Sequence, residues 1–455
     1  MIEVSELLKA TQGKLICGDA SGRVKGISID SRSINPYEAF CAIKGNNFDG
    51  HDFINNVIKN GCKCVIAESF PKPLNKDKSS LTLIKVENTT KALGDIARFR
   101  REKFNIPVIA VTGSNGKTTT KEMVACVLSK KYKVLKNEGT KNNHIGLPLT
   151  LINLDETHSA AVLEIGTNHP GEVKYLVDIA KPNIGIVTNI GLSHLEYFCD
   201  LEGVYKEKSV LINNLKTPGI GILNADDVLL KKRAFGKKTG SVVFGFGLVN
   251  ESDYFATCVK SSGVKQRFLV QGKYWFTINT LGRYNIYNAL AAISCGRILG
   301  LSYRQIVLAL AKFKFPYSRL NFLEINSVRF IDDTYNSNPV SLKQALNALS
   351  DFEARGRKIF VMGDMLELGS RTEEFHRQAG INAAGICNAF IAVGKYSRLA
   401  ASAAIQEGFS IKNVFTCDNS VQAKEILFSR LSPRSEDIVL VKGSRSMRME
   451  EVFNK

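Results

Sequence analysis

The sequence predicts an α/β protein in which parallel β-sheets occur in three successive domains. Short apolar runs of strand length alternate with helical segments along most of the chain, and 455 residues suffice for about three domains of ordinary size. Strands joined by helical crossovers form a parallel, doubly wound sheet whose ligands gather at the carboxyl ends of the strands. We place the domains at residues 1–85, 86–315 and 316–455.

Composition limits the class of protein. Hydrophobic residues make up 44% of the chain and charged residues 23%, as in soluble globular proteins. No apolar run approaches the roughly 18 residues of a membrane span, and the first residues lack a signal-peptide pattern. The ten cysteines include no CxxC pair, and the six histidines form no HxxxH or HExxH pattern. We therefore expect a cytoplasmic protein with reduced core thiols, without a zinc site and without membrane insertion.

The net charge of +18 is unusual and raises the possibility of nucleic-acid binding, because dense positive charge attracts phosphate backbones. The lysines are dispersed, however. Clusters such as Lys231-Lys232-Arg233 and Lys237-Lys238 lack the interleaved aromatic residues of a single-strand platform. A basic surface suits small polyanionic substrates, or it simply reflects a lysine-rich proteome, and we expect no nucleic-acid partner.

In the first domain, alternating apolar and polar segments predict a small α/β unit. Two polar loops, 30–32 (DSR) and 44–51 (KGNNFDGH), each follow a predicted strand. Such loops can bind a nucleotide head group, and they are equally typical of ordinary turns. The predicted elements are helices at 5–10 and 54–60, strands at 24–29, 39–43, 64–67 and 81–86, and a loop at 71–80.

A phosphate-binding loop is the strongest signal in the chain. After a predicted helix at 89–103, the apolar run 106–111 leads into TGSNGKTTT at 112–120, and apolar residues then recur at helical spacing. A turn between a strand and a helix N-terminus directs free amide groups and the helix dipole at phosphate oxygens. Lys117 would reach the β- and γ-phosphates, and Thr118 would ligate magnesium. Compared with the general P-loop motif, the first glycine is replaced by Val111, and Gly113 supplies the turn.

Two further residues are predicted at the same edge of this sheet. Glu164 ends the apolar run 160–165 beyond a polar loop at 140–146, and a carboxylate there needs a partner, so it is either a magnesium ligand or part of a buried salt bridge. His194 follows the next predicted strand, 184–190, by four residues. Since the carboxyl ends of parallel strands share one edge, we expect Lys117, Glu164 and His194 to lie together.

The remainder of the central domain is predicted as a helix at 203–215, a strand at 219–223, a β-rich section at 242–280 and a helix at 284–299. The first helix carries Lys206 and Lys208, and spacing alone singles out neither. The last helix carries Asn285 and Asn288 one turn apart on the same face.

A hinge at 315–320 precedes the third domain, because Pro316 ends the preceding helix. Strands are predicted at 328–331, 359–362, 389–393 and 438–441. Polar clusters follow three of them, at 332–339, 363–369 and 442–446. They indicate a binding face directed toward the phosphate loop, or alternatively a set of turns.

Six features in this order resemble the Mur ligases, which build the peptidoglycan precursor. They are TGSNGKTTT, Glu164, NIGLSHLE around His194, LGRYNIYNA, the hinge with Arg319, and DDTYNSNP. NNHIGLPLTL, EIGTNHPGE, GDMLELG and KGSRSMRME are most similar to the branch of the family that adds D-alanyl-D-alanine to UDP-N-acetylmuramoyl-tripeptide.

The resemblance implies an N-terminal domain that holds the UDP-sugar, a central ATPase, and a C-terminal Rossmann-like domain that binds D-Ala-D-Ala and closes over ATP. It implies ATP, two magnesium ions and a lysine carbamate formed from CO₂, in a protein that we expect to be a monomer. It selects Lys208 as the carbamylated lysine because Lys208 follows His194 by fourteen residues. The catalytic residues would be Lys117, His194 and Lys208, and the metal ligands Thr118, Glu164, His194 and carbamylated Lys208.

The resemblance also assigns residues to three substrates. ATP would contact Gly113, Ser114, Asn115, Gly116, Lys117, Thr118, Thr119, Asn285, Asn288, Arg319 and Asp333. The UDP-sugar would contact Ser31, Asn46, Asn47, Phe48, Asn142, Asn143, Thr167 and Asn168. D-Ala-D-Ala would contact Asn336, Asn338, Ser444 and Arg445.

The implied reaction is ATP-dependent amide ligation through an acyl phosphate. Alternatives remain open at this point. They are a Mur ligase that adds lysine or diaminopimelate, folylpolyglutamate synthetase, a basic P-loop NTPase that binds nucleic acid, and an inactive nucleotide-binding scaffold. The sequence leaves open whether the third residue of the tripeptide is lysine or diaminopimelate.

Overall fold

Three β-sheets, one after another along the chain, form the framework of the protein. The structure is a computed structural model and describes residues 1–74, 81–233 and 240–453. Part of the predicted loop at 71–80 and the whole Lys237-Lys238 cluster lie outside the described residues. The predicted α/β class with parallel sheets is confirmed, whereas the exact domain boundaries stay predictions.

The first sheet has five strands in the order β2-β7-β6-β5-β4, and a separate two-stranded sheet pairs β1 with β3. Strands β4 to β7 are parallel, and β2 joins the edge antiparallel. The predicted strand at 24–29 is two strands, because its first half pairs with β1 and its second half with β5. The elements are β1 (Ile2–Glu3), α1 (Val4–Thr11), β2 (Lys14–Cys17), β3 (Arg23–Val24), β4 (Ile27–Ser28), β5 (Ala39–Cys41), α2 (Ile54–Lys59), β6 (Cys64–Ala67) and β7 (Thr82–Lys85).

The second sheet has nine strands in the order β16-β15-β14-β13-β12-β11-β8-β10-β9. Its strands are parallel from β9 through β14 in this order, and β14, β15 and β16 form the small antiparallel section. The strands are β8 (Val108–Thr112), β9 (Val134–Lys136), β10 (Ala160–Glu164), β11 (Ile184–Val187), β12 (Gly219–Asn224), β13 (Ser241–Gly247), β14 (Tyr254–Ser262), β15 (Lys265–Val270) and β16 (Tyr274–Ile278). The helices are α3 (Thr89–Glu102), α4 (Lys117–Leu128), α5 (Gly146–Ile152), α6 (Glu172–Ala180), α7 (Leu195–Phe198), α8 (Leu201–Asn213), α9 (Val228–Arg233), α10 (Tyr284–Ile298) and α11 (Tyr303–Ala311).

The third sheet has six strands in the order β17-β18-β22-β19-β20-β21, and only its edge strand β17 is antiparallel. Its strands are β17 (Asn321–Ile325), β18 (Val328–Asp333), β19 (Lys358–Gly363), β20 (Ala389–Val393), β21 (Val414–Cys417) and β22 (Ile438–Lys442). The helices are α12 (Pro339–Asp351), α13 (Thr372–Ala384), α14 (Ser397–Gln406) and α15 (Ser420–Glu425).

The order of β8 and its neighbours determines where a ligand can enter. From β8 the chain crosses α4 to the edge strand β9 and returns to β10, and it then continues on the other side of β8 with β11. The connections from β8 and β11 therefore leave in opposite directions, which opens a crevice between them at the carboxyl ends of the strands. The phosphate loop directly follows β8 and lies at this crevice.

Continuous packing joins the three sheets. One core cluster includes Ile66 and Ile84 of the first sheet together with Val108 and Leu163 of the second. Another core cluster packs Leu195, the first residue of α7, among residues of the third unit. Because burial of apolar side chains is favourable, these shared clusters hold the sheets next to one another.

The described cysteines are all free thiols. Six are buried, but Cys199 and Cys258 are exposed, so the prediction that the cysteines are core thiols is wrong for these two. Within the described ranges, none of the helices has both the length and the apolar character needed to span a membrane.

We predict that Phe360→Ala destabilises the third unit by about 3–5 kcal/mol, because truncating a buried aromatic residue leaves a cavity. Phe360 is fully buried and stacks on Phe390 with ring centroids 5.3 Å apart. The measurement is urea unfolding followed by circular dichroism.

Tyr317→Ala is the control, since the Tyr317 side chain is 89% exposed. It should change the free energy of unfolding by no more than about 0.5 kcal/mol. Equal effects of the two substitutions would contradict the assignment of Phe360 to the core.

Candidate active site

A large cavity lies where the three sheets meet. Its volume is about 1530 Å³, and segments from all three units line it. Asn46 comes from the first unit, the phosphate loop and Glu164 come from the second, and Asn336 comes from the third. The cavity is therefore large enough for several substrates, and each unit contributes to its wall.

The phosphate loop has the geometry that its sequence predicts. All five residues of β8 are buried, and α4 begins at Lys117, directly after the turn. Gly113 has a φ of +144° and Gly116 a φ of +80°, a region that residues with a Cβ rarely occupy. A Cβ on Gly113 would lie 1.9 Å from Thr188 Oγ1, so this turn also requires glycine for steric reasons.

The phosphate loop is bonded to the loop that follows β11. The backbone amide of Ser114 donates to the Asn189 carbonyl (3.0 Å), and the Ser114 hydroxyl donates to the Gly191 carbonyl (2.8 Å). The amide of Asn115 donates to Asn189 Oδ1 (3.0 Å). These contacts fix the phosphate loop relative to the segment that carries His194.

Lys117 bends back over the phosphate loop. Its Nζ donates to the Gly113 carbonyl (2.9 Å) and to the Ser114 carbonyl (3.4 Å). Burial lowers the pKa of Lys117, the Glu164 carboxylate acts in the opposite direction, and Arg319 adds to the lowering. The loop thus places a lysine among other charged groups, where an anionic phosphate would stabilise its charged form.

Glu164 is the last residue of β10, and one of its two carboxylate oxygens accepts a hydrogen bond from the described residues while the other does not. Asn142 Nδ2 donates to its Oε1 (2.7 Å), whereas Oε2 is buried without a hydrogen-bond partner among the described residues. The Glu164 side chain lines the cavity. A buried carboxylate oxygen without a partner costs free energy, so this position could hold a cation.

The loop that carries Asn142 is held from behind by a buried lysine. Lys121 Nζ donates to the Asn137 carbonyl (2.6 Å) and the Gly139 carbonyl (3.3 Å). Asn137 Oδ1 in turn accepts from the Glu164 amide (2.8 Å). Lys121 and Asn137 are both fully buried, and the sequence analysis did not single them out. The one available signal was a lysine inside the apolar face of α4.

Lys208 is 1% exposed on α8, whereas Lys206 of the same helix is exposed. Burial, followed by repulsion from Lys117, lowers the pKa of Lys208 well below its ordinary value. Its side chain forms neither a hydrogen bond nor an ion pair with any residue that the structure describes. A lowered pKa favours the neutral, nucleophilic form of the amine over the ammonium form. The cavity lining does not include Lys208, which lies behind the wall near Lys117.

The two asparagines of α10 occupy different positions. Asn285 lines the cavity, and its Nδ2 donates to the Leu281 carbonyl (2.9 Å). Asn288 lies behind the phosphate loop, outside the cavity lining, and its Oδ1 accepts from Thr120 Oγ1 (3.1 Å). A Cβ on Gly116 would lie 2.4 Å from the same oxygen. The structure therefore places Asn288 as a support of the phosphate loop.

The hinge and β18 bring Arg319 and Asp333 to the cavity. Arg319 Nη2 donates to Thr118 Oγ1 (3.0 Å), and the guanidinium lies 3.9 Å from the centre of the Tyr335 ring. Asp333 pairs with the buried Lys442 at 2.5 Å. Lys442, which the sequence analysis included only in a polar cluster, thus fixes Asp333 at the end of β18.

The third unit also contributes Asn336, Asn338, Ser444 and Arg445 to the lining. Asn338 caps α12 and its Nδ2 donates to Asn115 Oδ1 (2.9 Å), which links the third unit directly to the phosphate loop. Ser444 Oγ accepts from the Leu366 amide (2.9 Å).

The predicted UDP-sugar residues fall into two groups. Five line the cavity, namely Asn46, Asn142, Asn143, Thr167 and Asn168. Ser31, Asn47 and Phe48 lie outside the lining, and Phe48 is 75% exposed. The roles of both groups stay predictions.

The remaining predicted site residues also fall into those that line the cavity and those that do not. Ser114, Asn115, Gly116, Lys117, Thr118, Thr119 and His194 line the cavity, whereas Gly113 does not. Within the described part of the chain, no three His, Cys, Asp or Glu side chains are grouped so that they could hold a metal ion by themselves. Thr118 and phosphate oxygens would therefore have to supplement Glu164 and His194 around any magnesium ion.

Comparison with known proteins agrees with this architecture. Residues 23–101 match the model "Mur ligase family, catalytic domain", 111–296 match "Mur ligase middle domain", and 318–445 match "Mur ligase, glutamate ligase domain". The UDP-N-acetylmuramoyl-tripeptide--D-alanyl-D-alanine ligase of Bacillus subtilis is 34% identical over 94% of this chain and 92% of its own length.

Solved structures give the same result. The crystal structure of MurF from Acinetobacter baumannii has a TM-score of 0.88 and 32% identity, covering 99% of this chain and 97% of that chain. MurF ligase from Thermotoga maritima, solved in complex with ADP, has a TM-score of 0.82 and 29% identity, covering 94% and 96% of the two chains. Sequence, fold and site agree, and this chain belongs to the Mur ligase family.

Proposed function

We propose that this protein is an ATP-dependent amide ligase that joins D-alanyl-D-alanine to UDP-N-acetylmuramoyl-tripeptide. The observation that carries the proposal is the large cavity, in which the phosphate loop, the half-satisfied Glu164 carboxylate and polar residues of all three units face one another. The full-length relatives named for this activity support the choice of substrates.

Each unit would bind one substrate. The first, with part of the second, would hold the UDP-sugar, with Asn46 and Asn142 in its wall. The phosphate loop, Asn285, Arg319 and the third unit would bind ATP. D-Ala-D-Ala would enter near Asn336, Asn338, Ser444 and Arg445. Three family models match the chain one after another, at residues 23–101, 111–296 and 318–445.

In the first step, the terminal carboxylate of the tripeptide attacks the γ-phosphorus of ATP, and the bond to the β-phosphate oxygen breaks. The products are an acyl phosphate and ADP. Negative charge on the transferring group is stabilised by the Lys117 ammonium group and by amide groups at the start of α4. Arg319, which lies within hydrogen-bond distance of Thr118, adds a second positive charge.

In the second step, the neutral amine of D-Ala-D-Ala attacks the acyl carbon to form a tetrahedral intermediate. The intermediate loses phosphate, and the attacking nitrogen loses a proton, leaving the amide. Water at the same carbon would hydrolyse the acyl phosphate, so the third unit, which packs against the phosphate loop through Asn338, excludes it.

Glu164, Thr118 and His194 would hold magnesium, which would neutralise negative charge on the phosphates. The buried Lys208 fits modification by CO₂, because its neutral amine can attack the carbon and lose a proton to give a carbamate anion. Lys117 would repel the ammonium form of Lys208, whereas it would attract the carbamate anion. A cytoplasmic location and a monomeric state stay predictions from the sequence.

The other activities have less support. A ligase that adds lysine or diaminopimelate would share the fold and the chemistry, and only the pocket for the amine would differ. Folylpolyglutamate synthetase activity does not require a first unit that binds UDP. Nucleic-acid binding lacks an observation beyond net charge.

The test of the proposal is phosphate release from ATP with UDP-N-acetylmuramoyl-tripeptide and D-Ala-D-Ala. We expect release only when both are present, together with a pentapeptide product by mass spectrometry. Single amino acids, folate substrates and DNA or RNA serve as comparisons. Release driven by one of these, with D-Ala-D-Ala inert, would contradict the proposed substrate.

We predict that Lys208→Ala lowers kcat by about 10²–10³, comparable to the loss of a transition-state-stabilising group. Short carboxylic acids or bicarbonate should restore part of the activity, because an added carboxylate can occupy the space of the carbamate. The measurement is the rate of phosphate release with and without the added acid.

The matched control is Lys206→Ala, two residues away on the same helix and exposed to solvent. It should retain the activity of the unsubstituted protein and show no response to added carboxylate. Full activity of Lys208→Ala without any added acid would rule out a role for the carbamate.

A further inference from the structure

Glu367, a residue to which neither the motifs nor the comparisons assign a role, contacts the proposed catalytic His194 from the other side of the cavity. Its Oε2 lies 2.7 Å from His194 Nδ1, although the two residues are 173 positions apart. His194 follows β11 of the second sheet, and Glu367 follows β19 of the third. The contact therefore joins two units of the protein at the wall of the active site.

The chemistry of this contact determines which nitrogen of the His194 ring faces Glu367. An ionised carboxylate only accepts hydrogen bonds, so Nδ1 must carry the hydrogen. With Nδ1 facing Glu367, the other ring nitrogen, Nε2, faces away from the carboxylate, and in a neutral ring that nitrogen can bind a cation or accept a proton. Without Glu367, the ring would lose this contact with the third unit.

The backbone at both ends of the contact is unusual. Glu367 has a φ of +61° and His194 a φ of +51°, the left-handed region that favours glycine. Neither residue is an Asn or Asp, whose short polar side chains make this conformation easier. Surrounding structure must hold both residues in place, as is common where a side chain has a positioning task.

Buried contacts hold the loop that carries Glu367. The Met365 amide donates to Nε2 of the buried His376 (3.0 Å), and the Leu366 amide donates to Ser444 Oγ (2.9 Å). The Glu367 side chain is thereby presented from a fixed loop, even though it is itself about half exposed.

The segment that begins at His194 packs through apolar contacts against the loop that carries Glu367. Leu195, the residue after His194, is 6% exposed and belongs to the core cluster that contains Met365 and Leu368. A Cβ added at Gly369 would lie 3.7 Å from the Glu196 backbone, so the two loops are close together. The hydrogen bond to His194 therefore forms as part of the docking of the third unit on the second.

We infer that Glu367 is a positioning residue that orients the His194 imidazole toward the cavity when the third unit packs onto the loop after β11. This inference rests on the proposed ligase function. Assembly of the active site would thus depend on the third unit, because the histidine is correctly oriented only in the docked arrangement.

The test uses Glu367→Gln, which keeps an acceptor without the charge, and Glu367→Gly, which removes the side chain but suits the backbone conformation. We expect kcat to fall about 10–100-fold in Glu367→Gly and less in Glu367→Gln, as for residues that orient a ligating histidine. KM values for ATP and the tripeptide substrate should change by less than twofold. Glu373→Gln, on an exposed residue six positions away, should leave kcat unchanged.

A double-mutant cycle separates positioning from general destabilisation. If Glu367 acts through His194, Glu367→Gly should cause no further loss in a His194→Ala background. Amide hydrogen exchange of residues 195–198 in the substrate-free protein gives a readout independent of activity, and it should be faster in Glu367→Gly than in Glu373→Gln.

Unchanged kcat in Glu367→Gly, or losses that add fully to those of His194→Ala, would overturn the inference. Absence of ligase activity in the unsubstituted protein would instead overturn the proposed function. In that case the amide exchange rates of residues 195–198 still test the contact between Glu367 and His194. Equal rates in Glu367→Gly and Glu373→Gln would refute a role for that contact.

Discussion

Buried charge at the carboxyl ends of β8 and β10 is the constraint on which the rest of the site depends. Burial lowers the pKa of Lys117 and of Lys208; the Glu164 carboxylate opposes the shift at Lys117, and Lys117 adds to the shift at Lys208. Glu164 Oε2 has no hydrogen-bond partner among the described residues. Removing such charges from water is costly unless partners are supplied. Phosphates, magnesium and a carbamate are groups of the right sign to supply them, so the folded chain is prepared for a charged ligand.

The surrounding architecture serves to keep this cluster in place and to control access to it. The phosphate loop is bonded to the loop after β11, Lys121 and Asn137 hold the segment opposite, and Asn338 connects the third unit. The Asn115–Asn189 and Asn338–Asn115 contacts join residues 74 and 223 positions apart, and the Lys121–Asn137 contact joins residues 16 positions apart. In the proposed reaction, the third unit would both bind the amine and exclude water from the hydrolysable intermediate.

The sequence predicted local features well and long-range pairs poorly. The phosphate loop, Glu164 and the strands around them follow from apolar periodicity and glycine positions, which act within a few residues. The contact between His194 and Glu367 joins residues 173 positions apart, and no periodic pattern encodes it. The choice of Lys208 over Lys206 came from family resemblance, and only burial gives it a physical reason. Spacing places Asn288 on the same face of α10 as Asn285, but only the fold shows that its Oδ1 accepts from Thr120 behind the phosphate loop. Its contact with ATP stays a prediction.

The central claim is that a carboxylate attacks ATP, and transfer of an isotope tests it most directly. The tripeptide substrate would carry ¹⁸O in its terminal carboxylate, and the inorganic phosphate released in the presence of ATP and D-Ala-D-Ala would be examined by ³¹P NMR. Our account predicts that one ¹⁸O atom moves to each phosphate, since the oxygen that attacks phosphorus leaves with it when the amide forms. Phosphate without ¹⁸O would show that water attacks ATP, and would contradict the acyl-phosphate mechanism.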